Sequence, residues 1–446
     1  MVDAKEKLLL LYPSHTAVCG VGTWIDSLVT QLPALGWDVT VGLAWGRSFH
    51  DPARIEEHWP HWPTVRLDAR TGTKTARHCA IVGAIRKSKP SVVVSTLLDD
   101  GLRVPTLFRG GSERPRFAIA NHGNAPEHIA AILEASDTLD LVVSVNRASF
   151  EILKSGIGPL PGCPFLDYIP NAVPLASASH VPRTGPLRIG FIGRLAQDKG
   201  AQLLPEFVNE MAGLTMDFHL TIAGDGPERA LIQTLAATNA DRVTYIGPMS
   251  RHELYSSVYP QLDVVLCLSP SEGWPMGIAE AMTHGVVPVA FEFLGINQEN
   301  VIRHEETGLI VPMQNTKAAV QAVSRLNDVG FWTELSRASS QMMQRDFTMK
   351  RLARSWDAAL RSCLSSRTGF GDSIARHPIP LLHRFKDFFR RCLRLRLKHD
   401  TVRSEWPMMA PRDATLVSCA AEEFAKLRGP SAKKTNEAHR SGDKMP

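Results

Sequence analysis

Two glutamates, Glu272 and Glu280, stand eight residues apart in SEGWPMGIAEAMTHG (271–285), with a glycine, a proline and a second glycine between them. The stretch follows an apolar run, VVLCLSP. Pro275 suits the first turn of a helix. The amides of Met276, Gly277 and Ile278 would then be donors without intrahelical partners, at the positive end of that helix. A phosphate fits such a place. Glu280, one turn in, can accept hydrogen bonds from vicinal hydroxyls. Glu272, on the loop before the helix, can reach a sugar or another polar group. Carboxylates repel phosphate, so this pair is placed to hold hydroxyls on either side of one. The plain alternative is a capped helix with two exposed acids.

Two other stretches have the composition of a phosphate site. In GRLAQDKG (193–200), Arg194 and Lys199 leave the end of an apolar run together. A guanidinium can bind two oxygens and an ammonium acts as a point charge, so the pair suits a diphosphate; a solvated basic loop is the alternative. In CGVGT (19–23), Gly20 and Gly22 would let backbone amides approach a ligand closely. The third glycine of a dinucleotide fingerprint is replaced by Ile25. The next strand, DVTVGLAWG, lacks the acid that would bind a ribose, so NAD is disfavoured. His122, in AIANHGN, ends another apolar run; a lone histidine is more often structural.

The elements that must position these residues are short apolar runs alternating with longer amphipathic stretches. The runs begin at residues 8, 38, 91, 116 and 139, and again at 188, 219, 242, 263 and 286. Continuous apolar strands separated by helices indicate parallel sheets covered on both faces. Residues 174–187, PLASASHVPRTGPL, have the composition of a boundary. The expectation is an α/β protein of two doubly wound domains, 1–175 and 186–345, facing a cleft at the carboxyl ends of their strands. A helix at 346–364 and an extension at 365–446 follow.

GRLAQDKG, IAGDGP (222–227) and EGWPMGIAEAM together resemble the GT-B glycosyltransferases of family 4, and IPNAV (169–173) and EETGLIVP (305–312) fit the flanking patterns. The likeness spans roughly residues 8–364. It implies two Rossmann-like domains closing on a nucleoside diphosphate sugar. It implies that Arg194 and Lys199 meet the diphosphate, that Glu280 binds the ribose, and that Glu272 lies near the donor sugar. Met276, Gly277 and Ile278 would supply backbone contacts, Gly22 would face the diphosphate, and His122 would face the donor sugar. The catalytic set is then His122, Arg194, Lys199 and Glu272. The resemblance also implies retention of configuration, a saccharide or lipid-linked acceptor, and a helix at 347–364 crossing back to the first domain. PNAVP (170–174) lacks the glycine and acid usual there, and FEFLGINQEN (291–300) fits the usual Gly-Gly turn only loosely, which leaves the donor open.

A chain of 446 residues with 44% apolar and 21% charged content is globular and longer than one core. Its seven cysteines are scattered without CxxC or CxxH pairs, which argues against zinc and points to a reducing compartment. No metal cluster, cofactor site, signal peptide or membrane span is evident, so a cytoplasmic location is expected. LLHRFKDFFRRCLRLRLKH (381–399) reads either as a helix on the inner face of an anionic membrane or as one packed on the body with a basic outer face. No nucleic-acid module accompanies this charge. A non-catalytic nucleotide-sugar-binding or scaffolding protein on the same fold is the alternative to an enzyme. A phosphorylase would need a pyridoxal lysine, for which no site is evident.

Overall fold

Four consecutive leucines show how the first layer is built. In strand β1 (Glu6–Tyr12), Leu8 and Leu10 join one buried cluster, and Leu9 and Leu11 join another. Side chains alternate across a strand, so an unbroken apolar run requires cover on both faces. The computed structural model describes residues 5–14, 19–96, 98–108, 114–157, 164–178, 180–365 and 421.

The first sheet continues with β2 (Trp37–Trp45), β3 (Thr64–Asp68), β4 (Val92–Ser95), β5 (Arg116–Asn121), β6 (Leu141–Ser144) and β7 (Phe165–Tyr168). Their spatial order is β3-β2-β1-β4-β5-β6-β7, all parallel. The second sheet holds β8 (Leu187–Ile192), β9 (Phe218–Ala223), β10 (Val243–Gly247), β11 (Val264–Cys267), β12 (Val287–Phe291) and β13 (Leu309–Val311). Its order is β10-β9-β8-β11-β12-β13, again all parallel. Each order reverses direction beside its first strand, where the loops after β1 and β4, and after β8 and β11, part to leave a crevice. The sequence-derived strands are present; β3, β7 and β13 are additional, and all three are short.

The chain crosses between the sheets after β7 and returns after the Val329–Asp346 helix. The returning helix, Met349–Ser365, lays Trp356, Leu360 and Cys363 into the first-domain core beside Leu28. Trp37 Nε1 donates to Asp357 Oδ1 at 2.8 Å, and Arg361 donates to the Leu35 carbonyl at 2.7 Å. Val173 and Thr348 join the two crossings in a parallel bridge. The basic segment 381–399 lies outside the described residues. No described helix is long and apolar enough to cross a membrane.

Candidate functional site

The β8 and β11 loops carry most of the sequence-predicted residues, and the fold brings two of them into direct contact. Lys199 Nζ donates to both Glu272 oxygens, at 2.7 and 2.8 Å. Lys199 ends a short 3-10 turn, Gln197–Lys199, stopped by Gly200 at φ 79°. The GRL loop is held by close backbone packing. A Cβ on Gly224 (φ 141°) would sit 1.8 Å from the Gly193 carbonyl oxygen, so IAGDGP requires glycine there. Arg194 pairs with Asp198 instead, both side chains about half exposed. The two cations therefore have separate carboxylate partners in this arrangement.

The helix after Glu272 runs Met276–Thr283, and no side chain caps its start. The Met276 amide is used locally, donating to the Trp274 carbonyl at 2.9 Å. The Met276 side chain reaches the first domain, where a Cβ on Gly20 would lie 3.0 Å from its Cγ. Gly277 is half-buried and Ile278 is buried. One turn on, Glu280 is not an exposed acid. Its carboxyl is buried, accepts from Tyr259 Oη at 3.1 Å, and is pushed up by that burial to about 7, with the Arg251 guanidinium and the tyrosine partly offsetting the rise. The helix packs its 278–283 face into a second-domain core, which takes Glu280 inward with it.

The first domain meets this strip at the end of β5. The His122 imidazole is edge-on to Trp24, ring centres 4.8 Å apart, and its buried Nε2 has no hydrogen-bond partner. Burial pushes its pKa down to about 3, so it is neutral at physiological pH. Gly273 lies so close that a Cβ there would be 2.1 Å from the His122 carbonyl oxygen. Asn124 Nδ2 donates to the Glu272 carbonyl at 2.9 Å, and Ser271 Oγ donates to Asn124 Oδ1 at 3.0 Å. Gly22 stands apart from these contacts. It lies in the first turn of the Gly20–Gln31 helix, and its amide donates to Cys19 Sγ at 3.4 Å rather than facing open space.

A second cross-domain contact has no counterpart among the sequence motifs. Asp26, buried on the Gly20–Gln31 helix, accepts from Arg251 at 3.0 Å, from His61 Nε2 at 2.7 Å and from Trp62 Nε1 at 3.2 Å. Arg251 also lies over the Trp59 ring, 5.4 Å from its centroid. The available signals were an acid within an apolar helix face, WIDSLV, and the doubled HWP of residues 58–63. Among the described residues no group of three or more His, Cys, Asp or Glu side chains is placed to hold a metal ion.

Residues 186–328 match the family model described as glycosyl transferases, group 1. The second domain is a group 1 glycosyl transferase domain. This group 1 domain carries Arg194, Lys199, Glu272, Met276, Gly277, Ile278 and Glu280, while Gly22 and His122 lie outside the match. The chain is 34% identical over 140 residues to an alpha-D-kanosaminyltransferase of Streptomyces kanamyceticus, covering 31% of this chain and 36% of that one. It is 30% identical over 177 residues to one component of the phosphatidylinositol N-acetylglucosaminyltransferase of Arabidopsis thaliana, 38% of each. These matches thus span little more than a third of either relative. Among solved structures, sucrose-phosphate synthase from Thermosynechococcus elongatus aligns with a TM-score of 0.67 at 20% identity, covering 80% of this chain and 99% of that one. An Anabaena protein solved with UDP-glucose aligns at 0.62 and 16% identity, covering 80% and 99%. The group 1 domain and its partner adopt the GT-B fold, two Rossmann-like domains across a cleft.

Proposed function

We propose that the chain transfers a sugar, with retention of anomeric configuration, from a nucleoside diphosphate sugar to a saccharide or lipid-linked acceptor in cell-surface polysaccharide or glycolipid synthesis. The observation that carries this reading is one strip of the second domain. Lys199, Glu272 and the uncapped start of the Met276–Thr283 helix lie together there, against the first-domain loop of His122. The group 1 match and the sugar transferases among the relatives support it.

In this reading Lys199 exchanges Glu272 for the donor diphosphate, and Arg194 exchanges Asp198. The bond from the anomeric carbon to the β-phosphate oxygen breaks through an oxocarbenium-like state. The acceptor hydroxyl attacks the same face and passes its proton to the departing phosphate oxygen. The two cations and the helix-start amides meet the negative charge that grows there, so the scheme calls for no metal ion. Glu272, released from Lys199, takes hydroxyls of the donor sugar. Neutral His122 makes a hydrogen bond to the same sugar without adding charge. Glu280 takes the ribose hydroxyls.

The test is thermal unfolding across UDP-, GDP- and ADP-sugars, with Glu280→Ala beside the native chain, together with an assay for nucleoside diphosphate release. A ligand at 100 times its Kd stabilises by about 2.7 kcal/mol. The UDP-glucose complex of the Anabaena relative makes UDP-sugars the first series to try. A shift with one series, weakened in the variant, supports the reading. Binding without diphosphate release across an acceptor panel would favour a non-catalytic nucleotide-sugar-binding protein. Residues 381–399 carry seven Lys or Arg against one Asp, interleaved with Leu and Phe, which supports docking on an anionic membrane. Equal binding to anionic vesicles after deletion of 381–446 would refute that part.

A further inference from the structure

A cavity of about 320 Å³ lies where the two crossings between domains run side by side, and none of its lining residues belongs to the donor strip. One wall is the first crossing, residues 168–172. A second is the return, residues 346–352. The third comes from residues 298–300 and Arg303 of the second domain, and Arg147 reaches in from the first.

Two polar atoms of this lining lack partners. Asn171 is 4% exposed, and its Oδ1 accepts no hydrogen bond; buried Arg303 Nε donates none. Buried polar atoms are satisfied in the great majority of cases, so an unmade acceptor and an unmade donor on one cavity call for a third party. Its chemistry follows from the charges. Three guanidiniums line the cavity, and their ion pairs among the described residues are loose: Arg147 with Glu151 at 3.8 Å, Arg303 with Glu306 at 3.8 Å, and Arg351 with Asp346 at 3.6 Å; Arg147 also lies over the Tyr168 ring, 4.3 Å from its centroid. Two carboxyls share the lining. Asp346 is held more tightly by Arg345, at 2.7 Å. Glu299 accepts from the Arg147 amide and from Tyr168 Oη, and burial pushes it up to about 8, so it adds little negative charge at neutral pH. The cavity therefore keeps an excess of forked donors suited to a phosphate, beside a carboxamide oxygen suited to a hydroxyl. Its volume is that of a small-ligand site.

We propose that this hinge cavity is a second ligand site, taking a small phosphorylated sugar or polyol. The Arg303 and Arg351 guanidiniums hold the phosphate, and the Asn171 carboxamide holds a hydroxyl. Because both domains and both crossings form its walls, an occupant favours the domain arrangement described above over any other. The site would report the supply of phosphorylated metabolites to the cleft without competing for the donor.

The test uses the full chain, with glycerol 3-phosphate, glucose 1-phosphate, inorganic phosphate and glucose as probes, each with and without saturating UDP. At least one of the two phosphate esters is expected to raise the unfolding temperature saturably, and to do so with UDP present. Inorganic phosphate should act more weakly and glucose not at all. Arg351→Gln changes a largely exposed side chain and should fold normally. It and Arg303→Gln are each expected to weaken the ester by about tenfold or more, the range for hydrogen bonds to charged groups. Asn171→Ala should weaken the ester but not inorganic phosphate. A cavity holding ordered water alone would give no saturable shift with any phosphate. That result, a shift abolished by UDP, or one unchanged in both arginine variants overturns the proposal.

Discussion

Glu280→Gln is expected to make the protein more stable above neutral pH while weakening donor binding. The buried carboxyl is raised from 4.5 to about 7 by desolvation, despite the Tyr259 hydroxyl and the Arg251 guanidinium. A folded-state value above the unfolded one means that the folded chain binds the proton more tightly. Stability from this group is fully present below about pH 4.5 and is lost as pH rises through about 7. At ~1.4 kcal/mol per pKa unit, the loss is roughly 3 kcal/mol. Glutamine has the same shape, still accepts from Tyr259 and does not titrate. Its amide donors enter a pocket built for an acceptor, which costs about 1 kcal/mol at all pH values. Native and variant should therefore be about equally stable at pH 5, the native chain ahead only below it, and the variant should be the more stable by about 2 kcal/mol at pH 8. Glu299, also raised, is present in both proteins and cancels in the comparison. UDP affinity in the variant should fall about tenfold or more, because an ionised acceptor for the ribose hydroxyls is gone. Urea unfolding from pH 5 to pH 8 and UDP titration read the two effects. Stability curves of native and variant that run parallel with pH would refute the buried, proton-binding carboxyl.

Lys199→Ala is expected to lower kcat by about tenfold to a hundredfold, more than it weakens donor binding, since its contact gains strength as charge develops; an unchanged kcat would remove its role. Gly273→Ala should keep native stability in each domain yet lose at least about tenfold in kcat, because its Cβ would meet the His122 carbonyl at 2.1 Å and hold the cleft ajar; small-angle scattering should show a more open particle. Trp356→Ala removes a fully buried ring packed 5.2 Å from Trp24, and urea unfolding should show a cost of about 3–5 kcal/mol in the first domain.

Much of this architecture was legible in the sequence because it rests on local patterns. Continuous apolar runs marked the central strands, since residues covered on both faces leave no polar alternation. The edges were harder. β3 reads TVRLD with only Leu67 buried, and β13 is three residues long, so neither has a run to detect. Within the site, the order strand, loop, Pro, helix located Glu272 and the 276–283 helix. The burial of Glu280 was not legible, because it depends on which face the helix packs. Nor was the contact of Lys199 with Glu272, 73 residues away, or that of Arg251 with Asp26, 225 residues away; both exist only once loops of separate elements meet. Gly22 shows another limit of local pattern. Its pattern suggested bare backbone, but the neighbouring Cys19 caps the amide as a serine would.

The return of the Met349–Ser365 helix to the first domain makes that domain discontinuous, with the second inserted into it. The chain emerges from the ribosome in order. The first sheet is complete in sequence at Tyr168, yet the last pieces of its core, Trp356, Leu360 and Cys363, follow about 190 residues later. At roughly 5–20 residues per second, the nascent first domain waits ~10–40 s with the apolar side of its Gly20–Gln31 helix uncovered. The inserted domain needs no such wait, since residues 187–346 hold its entire sheet and can bury it as they are made. The later domain therefore finishes first, and chaperone demand during synthesis falls on the amino-terminal half.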